Sequence, residues 1–140
     1  MKKTQYLFLF FALLFAACDK TEEVKLEAFS AEAFAYDIET SWEINSSIRV
    51  KGFAQSEEGG VFKHSVNYEA SIITPSGESI PGIASGTLNE SSKEKLQDLG
   101  IEVQYELDKS RGPGKYKIVY AIKDDRTGQT VKGEKEFEAL

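Results

Sequence analysis

Leu107-Asp108-Lys109-Ser110-Arg111-Gly112-Pro113-Gly114-Lys115-Tyr116 is the stretch on which the reading of this chain turns. Before it, Ile101, Val103, Tyr105 and Leu107 alternate with acidic residues and Gln104. After it, Tyr116 opens a second alternating run, Tyr116, Ile118, Tyr120 and Ile122. A period of two describes strands with one face buried. Gly112-Pro113-Gly114 between them is turn chemistry, because glycine tolerates positive φ and proline pre-sets its own. The stretch therefore predicts two strands joined through a tight corner.

The pattern continues outward in both directions. Downstream, Asp124-Asp125-Arg126-Thr127-Gly128 predicts a hairpin loop, and Gln129 to Ala139 a closing strand with Val131 and Phe137 inward. Upstream, Ser91-Ser92-Lys93-Glu94 matches a capping box. With Leu96 and Leu99 on one face and Gly100 after them, it predicts a short helix over 91–99. Ile80 to Leu88, broken by Pro81, Gly82 and Gly86, predicts an irregular edge strand. Pro75-Ser76-Gly77-Glu78 predicts a turn, preceded by a strand from Val61 or Phe62 to about Ile73. Ser56-Glu57-Glu58-Gly59-Gly60 is a further turn. Trp42, Ile44, Ser46, Ile48 and Val50 share one parity and mark a half-buried antiparallel strand over 42–53.

Residues 24–38 admit two readings. Val24, Leu26 and Ala28 alternate with Lys25 and Glu27, and Phe34, Tyr36 and Ile38 resume the same parity, as two core-facing strands with a break near Ser30. Leu26, Phe29, Ala33 and Tyr36 also fit a helical stripe, and the alanine and glutamate content suits a helix. The strand character of everything downstream favours strands. The expectation is all-β, about seven strands and one short inserted helix.

A strand ending in Leu107, a Pro-Gly turn and a tyrosine opening the next strand resemble the tyrosine corner of immunoglobulin and fibronectin type III domains. That resemblance implies an immunoglobulin-like antiparallel β-sandwich over residues 24–140. It also implies a structural corner formed by Tyr116, Leu107 and Gly114, with the Tyr116 hydroxyl bonded back to the corner backbone. On the same resemblance Tyr116, Ile118, Tyr120 and Ile122 face the core. The chain departs from the pattern in three ways. It has no cysteine pair to bridge the sheets, Trp42 falls on the second strand, and the 91–99 helix is an insertion.

The N-terminus carries a different signal. Lys2 and Lys3 precede an apolar run from Tyr6 to Ala17, about half the roughly 20 residues a membrane-spanning helix needs. A basic segment, a short apolar segment and small residues before a cleavage point describe a secretory signal peptide. Leu13-Leu14-Phe15-Ala16-Ala17-Cys18 resembles the lipobox of bacterial lipoproteins, with Phe15 in place of the usual leucine. The resemblance implies a signal peptide over residues 1–17, lipidation of Cys18, and a tether over 18–23. The alternative is an ordinary signal peptide followed by an unmodified cysteine. Asp19 after the cysteine resembles an inner-membrane retention signal. The tract Asp19-Lys20-Thr21-Glu22-Glu23 resembles instead the surface-export signal of Bacteroidota lipoproteins, and the residues leave the choice of membrane and leaflet open.

Composition narrows the function. The formal net charge is −6, and the leader removes two lysines and no acid. The acid excess lies before Asp108, while from Asp108 onward basic residues outnumber acidic ones. An acidic body disfavours nucleic acid and electrostatic adhesion to anionic lipid, so membrane attachment falls to the lipid on Cys18. One cysteine allows no intramolecular disulfide. His64 is the only histidine, and no Gly-x-Ser-x-Gly elbow presents a serine to it, so a structural or rim histidine is expected. Zinc and copper sites need clustered Cys, His or Met, which the sequence lacks. Asp124-Asp125 lacks the spacing of a calcium loop and reads as a charged hairpin tip. Gly112-Pro113-Gly114 is no phosphate loop, because proline removes a needed donor.

These readings predict a non-enzymatic, lipid-anchored protein of the bacterial cell envelope, without cofactor or metal. It would be a binding or adhesion module for a protein or glycan. An assembly accessory of an envelope complex is the second reading. The third is an inhibitor of an extracytoplasmic enzyme, with Gly82 to Asn89 as its protruding loop.

Overall fold

The computed structural model describes residues 24–140, so the leader, Cys18 and the tether lie outside the described residues. Strand β1 (Glu27–Asp37) pairs antiparallel with β2 (Ser41–Lys51), which pairs on its other side with β8 (Asp98–Asp108). A second antiparallel sheet has the order β10 (Thr130–Ala139), β9 (Gly114–Asp124), β5 (Val66–Ile73), β6 (Ser79–Leu88). The short strands β3 (Ser56–Glu58), β4 (Val61–Lys63) and β7 (Ser91–Ser92) form a small third sheet. The sandwich class thus holds, carried by seven long strands, with three short ones added.

Period-two alternation explains the core. Trp42, Ile44, Ile48 and Val50 of β2 meet Tyr116, Ile118, Tyr120 and Ile122 of β9 in one buried cluster. Fully burying such side chains contributes about 1.5–3 kcal/mol each relative to exposure. Ser46, taken inside, is partnered: its Oγ lies 2.6 Å from the Tyr120 hydroxyl and donates to the Glu32 carbonyl at 2.7 Å. A buried hydroxyl left without a partner costs about 1–3 kcal/mol, so this link between the sheets also removes a penalty.

Three expectations are corrected. No helix forms over 91–99. Ser91 and Ser92 pair with Lys63 and Phe62, and the Gln55 side chain both accepts from the Leu96 amide and donates to its carbonyl, each at 2.8 Å. A two-turn helix is marginal by itself, and these long-range bonds satisfy the same backbone. The helical turn observed is a 3-10 turn at Lys109–Arg111, where the Asp108 carboxylate accepts from the Ser110 amide at 2.7 Å. The strand expected from Val61 or Phe62 to about Ile73 is broken at His64 and Ser65.

The third correction concerns β1. It is one strand rather than two, but its register slips between Phe29 and Glu32, where Ser30 sits at φ 51°. One extra residue reverses which side each later side chain faces. Phe34, Tyr36 and Ile38, expected in the core, are exposed. Their place inside is taken by Ala31, Ala33 and Ala35, which pack on the core. Small residues are needed because β1 lies close against β10 without hydrogen-bonded pairing to it. A Cβ at Gly133 of β10 would collide with Ile48 Cδ1 and lie 3.3 Å from Ala28. The alanine content that suited a helix serves this close approach.

Candidate functional site

The bulge in β1 turns an aromatic strip onto the outer face of the β1-β2-β8 sheet. Phe34 is 55% exposed, Tyr36 54% and Ile38 43%. Apolar rings on a solvated sheet face are what a binding surface needs and a stable core avoids. The strip continues on the other side of the bulge as half-buried Phe29, whose ring lies 5.1 Å under Lys51 Nζ.

Register places polar side chains beside the rings. Phe34 stands opposite Asn45, and Asn45 opposite Gln104. Tyr36 stands opposite Glu43, and Glu43 opposite Glu106. Neighbouring strands are about 4.8 Å apart, so each row runs ring, polar group, polar group across roughly 10 Å. The polar groups are held in place. Asn45 Nδ2 donates to Glu43 Oε1 at 2.8 Å, and Ser41 Oγ donates to Glu106 Oε1 at 2.6 Å. A shallow depression of about 380 Å³ lies against Phe34, with Asn45, Ser47, Glu102 and Gln104 among its walls.

The corner residues come together at one end of the sandwich. Tyr116 is buried and its hydroxyl donates to the Gly112 carbonyl at 2.5 Å. Its ring stacks on Phe137 with centroids 5.7 Å apart, and burial pushes its pKa up. Leu107 is buried in the core, and a Cβ at Gly114 (φ 145°) would come within 2.9 Å of Pro75. The 109–114 and 74–78 loops therefore share this end, where Arg111 reaches Glu78 at 4.0 Å. Lys109 Nζ binds Asp37 Oδ1 at 2.6 Å and the Glu39 carbonyl at 2.9 Å, fastening the β1–β2 turn to the corner. That bond is the first cause holding the Asp37 carboxyl below its usual range.

The opposite end gathers the remaining loops. The Asp124–Asp125 pair is more than a charged tip. Asp124 is buried, accepts from the Ala54 amide at 2.7 Å and from the Arg126 amide at 2.9 Å, and so ties the β9–β10 hairpin to the β2–β3 connection. Asp125 is held by Ser65 and Asn67 at 2.7 Å each. His64 lies close by, buried edge-on against Phe53 with ring centroids 5.5 Å apart. Burial is the main cause that lowers its pKa. Gly82 to Asn89, the candidate protruding loop of the inhibitor reading, lies instead, up to Leu88, inside strand β6 at the sheet edge. Among the described residues no group of three or more His, Cys, Asp or Glu is placed to hold a metal, and no helix is long and apolar enough to cross a membrane.

Sequence reasoning put Asn45 and Gln104 on the polar faces of their strands but missed the aromatic strip. The available signal was Phe29, an apolar residue on the wrong parity just before Ser30.

No protein-family profile matches the chain, and no curated protein is similar to it in sequence. In structure it is similar to part of a family 123 glycoside hydrolase from Clostridium perfringens, with a TM-score of 0.53 and 13% identity. That likeness covers 83% of this chain and 27% of that one. It is similar to part of a Bacteroides uniformis β-glucuronidase, with a TM-score of 0.49, 12% identity and coverage of 80% and 12%. It is also similar to part of a Pseudomonas fluorescens alkylpurine DNA glycosylase bound to DNA, with a TM-score of 0.37, 17% identity and coverage of 83% and 30%. The chain thus spans a third or less of each. At 13% identity the first of these carries a likeness of fold and nothing about activity.

Proposed function

We propose that this chain is a lipid-anchored, non-enzymatic protein of the bacterial cell envelope. Its immunoglobulin-like sandwich is a binding module for a protein or glycan. The observation that carries the reading is the exposed strip of Phe34 and Tyr36 on the outer sheet face, with exposed Ile38 just past the strand's end. The case against an enzyme rests on His64, the one histidine, whose ring is packed under Phe53 rather than presented to a cleft.

Strand order supports the immunoglobulin-like reading. Lettered A to G in chain order, the seven long strands form sheets A-B-E and G-F-C-D. The constant-type immunoglobulin arrangement puts D beside E. Here the fourth strand stands beside C, and the corner tyrosine opens strand F as in that family. The anchor rests on the lipobox-like residues before Cys18.

A second reading, an assembly accessory, is favoured by β8. This strand pairs with β2 over all 11 residues without a bulge and stands at the edge of its sheet. Such an edge accepts an added strand from a partner. The inhibitor reading loses its protruding loop to β6.

Labelled palmitate is expected in the wild-type protein and absent from Cys18→Ser. A wild-type protein without label would overturn the anchor. Pull-down from envelope extract, paired with hydrolase assays on the same material, is expected to show capture without turnover. Turnover that disappears with His64→Ala would replace this reading with an enzyme.

A further inference from the structure

We infer that the outer face of the β1-β2-β8 sheet is a subsite for an uncharged glycan, with Phe34 and Tyr36 as stacking platforms and Asn45 and Gln104 as its hydrogen-bonding floor. This rests on the binding-module reading and names its face and its ligand class.

Charge removes one group of ligands. Glu32, Glu43, Glu102 and Glu106 share this face. The cations of the face are engaged: Arg49 is bridged to Asp98, and Lys51 Nζ lies 3.5 Å from Glu27 Oε1. An anionic polymer or phosphate would meet like charge.

Hydrogen-bonding chemistry separates the ligands that remain. A lysine- or arginine-rich peptide would suit the carboxylates, but its side chains only donate. Beside Phe34 stand two amides, Asn45 and Gln104, and the Ser47 hydroxyl, flanked by the Glu32 and Glu102 carboxylates. Amides and hydroxyls offer donors as well as acceptors, and cationic side chains match only the acceptors. A sugar hydroxyl both donates and accepts. The carboxylates of Glu43 and Glu106, each already holding one internal bond on Oε1, keep their second oxygen to accept from such hydroxyls.

The rings fit the same occupant. Phe34 and Tyr36 are two residues apart on one strand, hence about 6.8 Å along it. They form a narrow strip on the edge strand, beside the polar rows rather than surrounded by them. A protein partner of ordinary size needs an apolar centre within about 800 Å² of its own surface. A narrow strip flanked by amides suits a chain of pyranose rings, which present an apolar CH face to the aromatics and hydroxyls to the side.

The test is affinity electrophoresis of the full chain in detergent, in gels holding hydroxyethylcellulose, xylan, galactomannan or dextran. Alginate serves as the anionic arm, and capture on immobilised poly-L-lysine as the cationic arm. Wild type is expected to be retarded by at least one neutral polysaccharide and not by alginate. Phe34→Ala and Tyr36→Ala should each weaken that binding roughly tenfold, as loss of an anchoring ring does. Asn45→Ala and Gln104→Ala should weaken it by a smaller factor, and Lys132→Ala on the opposite sheet should leave it unchanged. Retardation that survives both ring variants would overturn the face while leaving a binding module. Capture on poly-L-lysine alone would overturn the glycan in favour of a basic peptide. Absence of retardation by every neutral polysaccharide would overturn the inference even where the envelope pull-down succeeds.

Discussion

Strands β1 and β9 carry closely similar alternations and put them to opposite use. Tyr116, Ile118, Tyr120 and Ile122 of β9 are each at most 1% exposed, whereas Phe34 and Tyr36 of β1 are 55% and 54% exposed, and Ile38 just past its end 43%. Nothing in the residue types separates the two runs. The difference lies in what fixes each strand's register. β9 sits between β10 and β5, paired along most of its length on both sides. It is also fastened at each end, by the Tyr116 hydroxyl on Gly112 and by the Asp124 carboxylate on Ala54. β1 pairs on one side only and carries an inserted residue at Ser30. An edge strand has the freedom to take a bulge, and the bulge exchanges its two faces.

The largest break in that comparison should come from Tyr116→Ala. Removing a buried aromatic ring that stacks on Phe137 and neighbours Trp42 should cost about 3–5 kcal/mol in denaturant unfolding. Tyr116→Phe keeps the ring and loses only the bond to Gly112, for about 0.5–1.5 kcal/mol. A phenylalanine variant with an unchanged midpoint would mean the corner bond contributes nothing and packing alone holds that end of β9.

The other end of β9 should give a smaller effect. Asp124→Ala leaves the Ala54 and Arg126 amides without their acceptor, at about 1–3 kcal/mol. Hydrogen exchange at Ala54 should accelerate more than at Tyr116. Equal loss at both positions would indicate global rather than local weakening.

The fold was legible wherever its signals are local. The corner lies within ten residues, and the β2 and β9 alternations run uninterrupted, so parity alone sorts inside from outside. It was illegible where a distant partner decides. The capping box at Ser91 is a genuine local signal, yet Gln55 and Lys63 claim that backbone. The role of Asp124 depends on Ala54, 70 positions away. The candidate site was the least legible part, because it exists only through the register slip. Ser30 marked the break, but a break does not state how many residues it adds.

Acid should act on the His64 end of the molecule. Burial holds the folded pKa of His64 below its ordinary value of 6.5, Arg126 lowers it further, and Glu90 opposes them. Above about pH 6.5 the ring is neutral in both folded and unfolded chains, so the contribution is fully present there. As the pH falls through that value the unfolded chain takes up a proton that the folded chain does not, and stability declines until the folded value is passed. Thermal midpoints measured from pH 7.5 down to 5 should therefore fall in the wild type and stay flatter in His64→Phe. The lowered carboxyls of Asp37, Glu58 and Asp108 act at lower pH and leave this window clear. Parallel slopes would show that His64 is protonated as readily in the folded chain as in the unfolded one.

The smallest expected effect is the most discriminating. Phe34→Ala and Tyr36→Ala remove rings of the same kinds as those buried elsewhere in the sandwich. On the bulged register they face water, so each should change unfolding free energy by no more than about 0.5 kcal/mol. A one-residue slip would return both rings to the core and raise the cost to the range expected for Tyr116→Ala. Deleting Ser30 supplies the converse test. Without the extra residue β1 must either expose its alanines and bury the rings, or lose its pairing with β2. Ala33 and Ala35 pack on the core where the rings would have to enter, so the deletion should release β1 and lower the thermal midpoint. A deletion variant as stable as wild type would show that the strip can be folded inward, and the contrast between β1 and β9 would then rest on preference rather than on space.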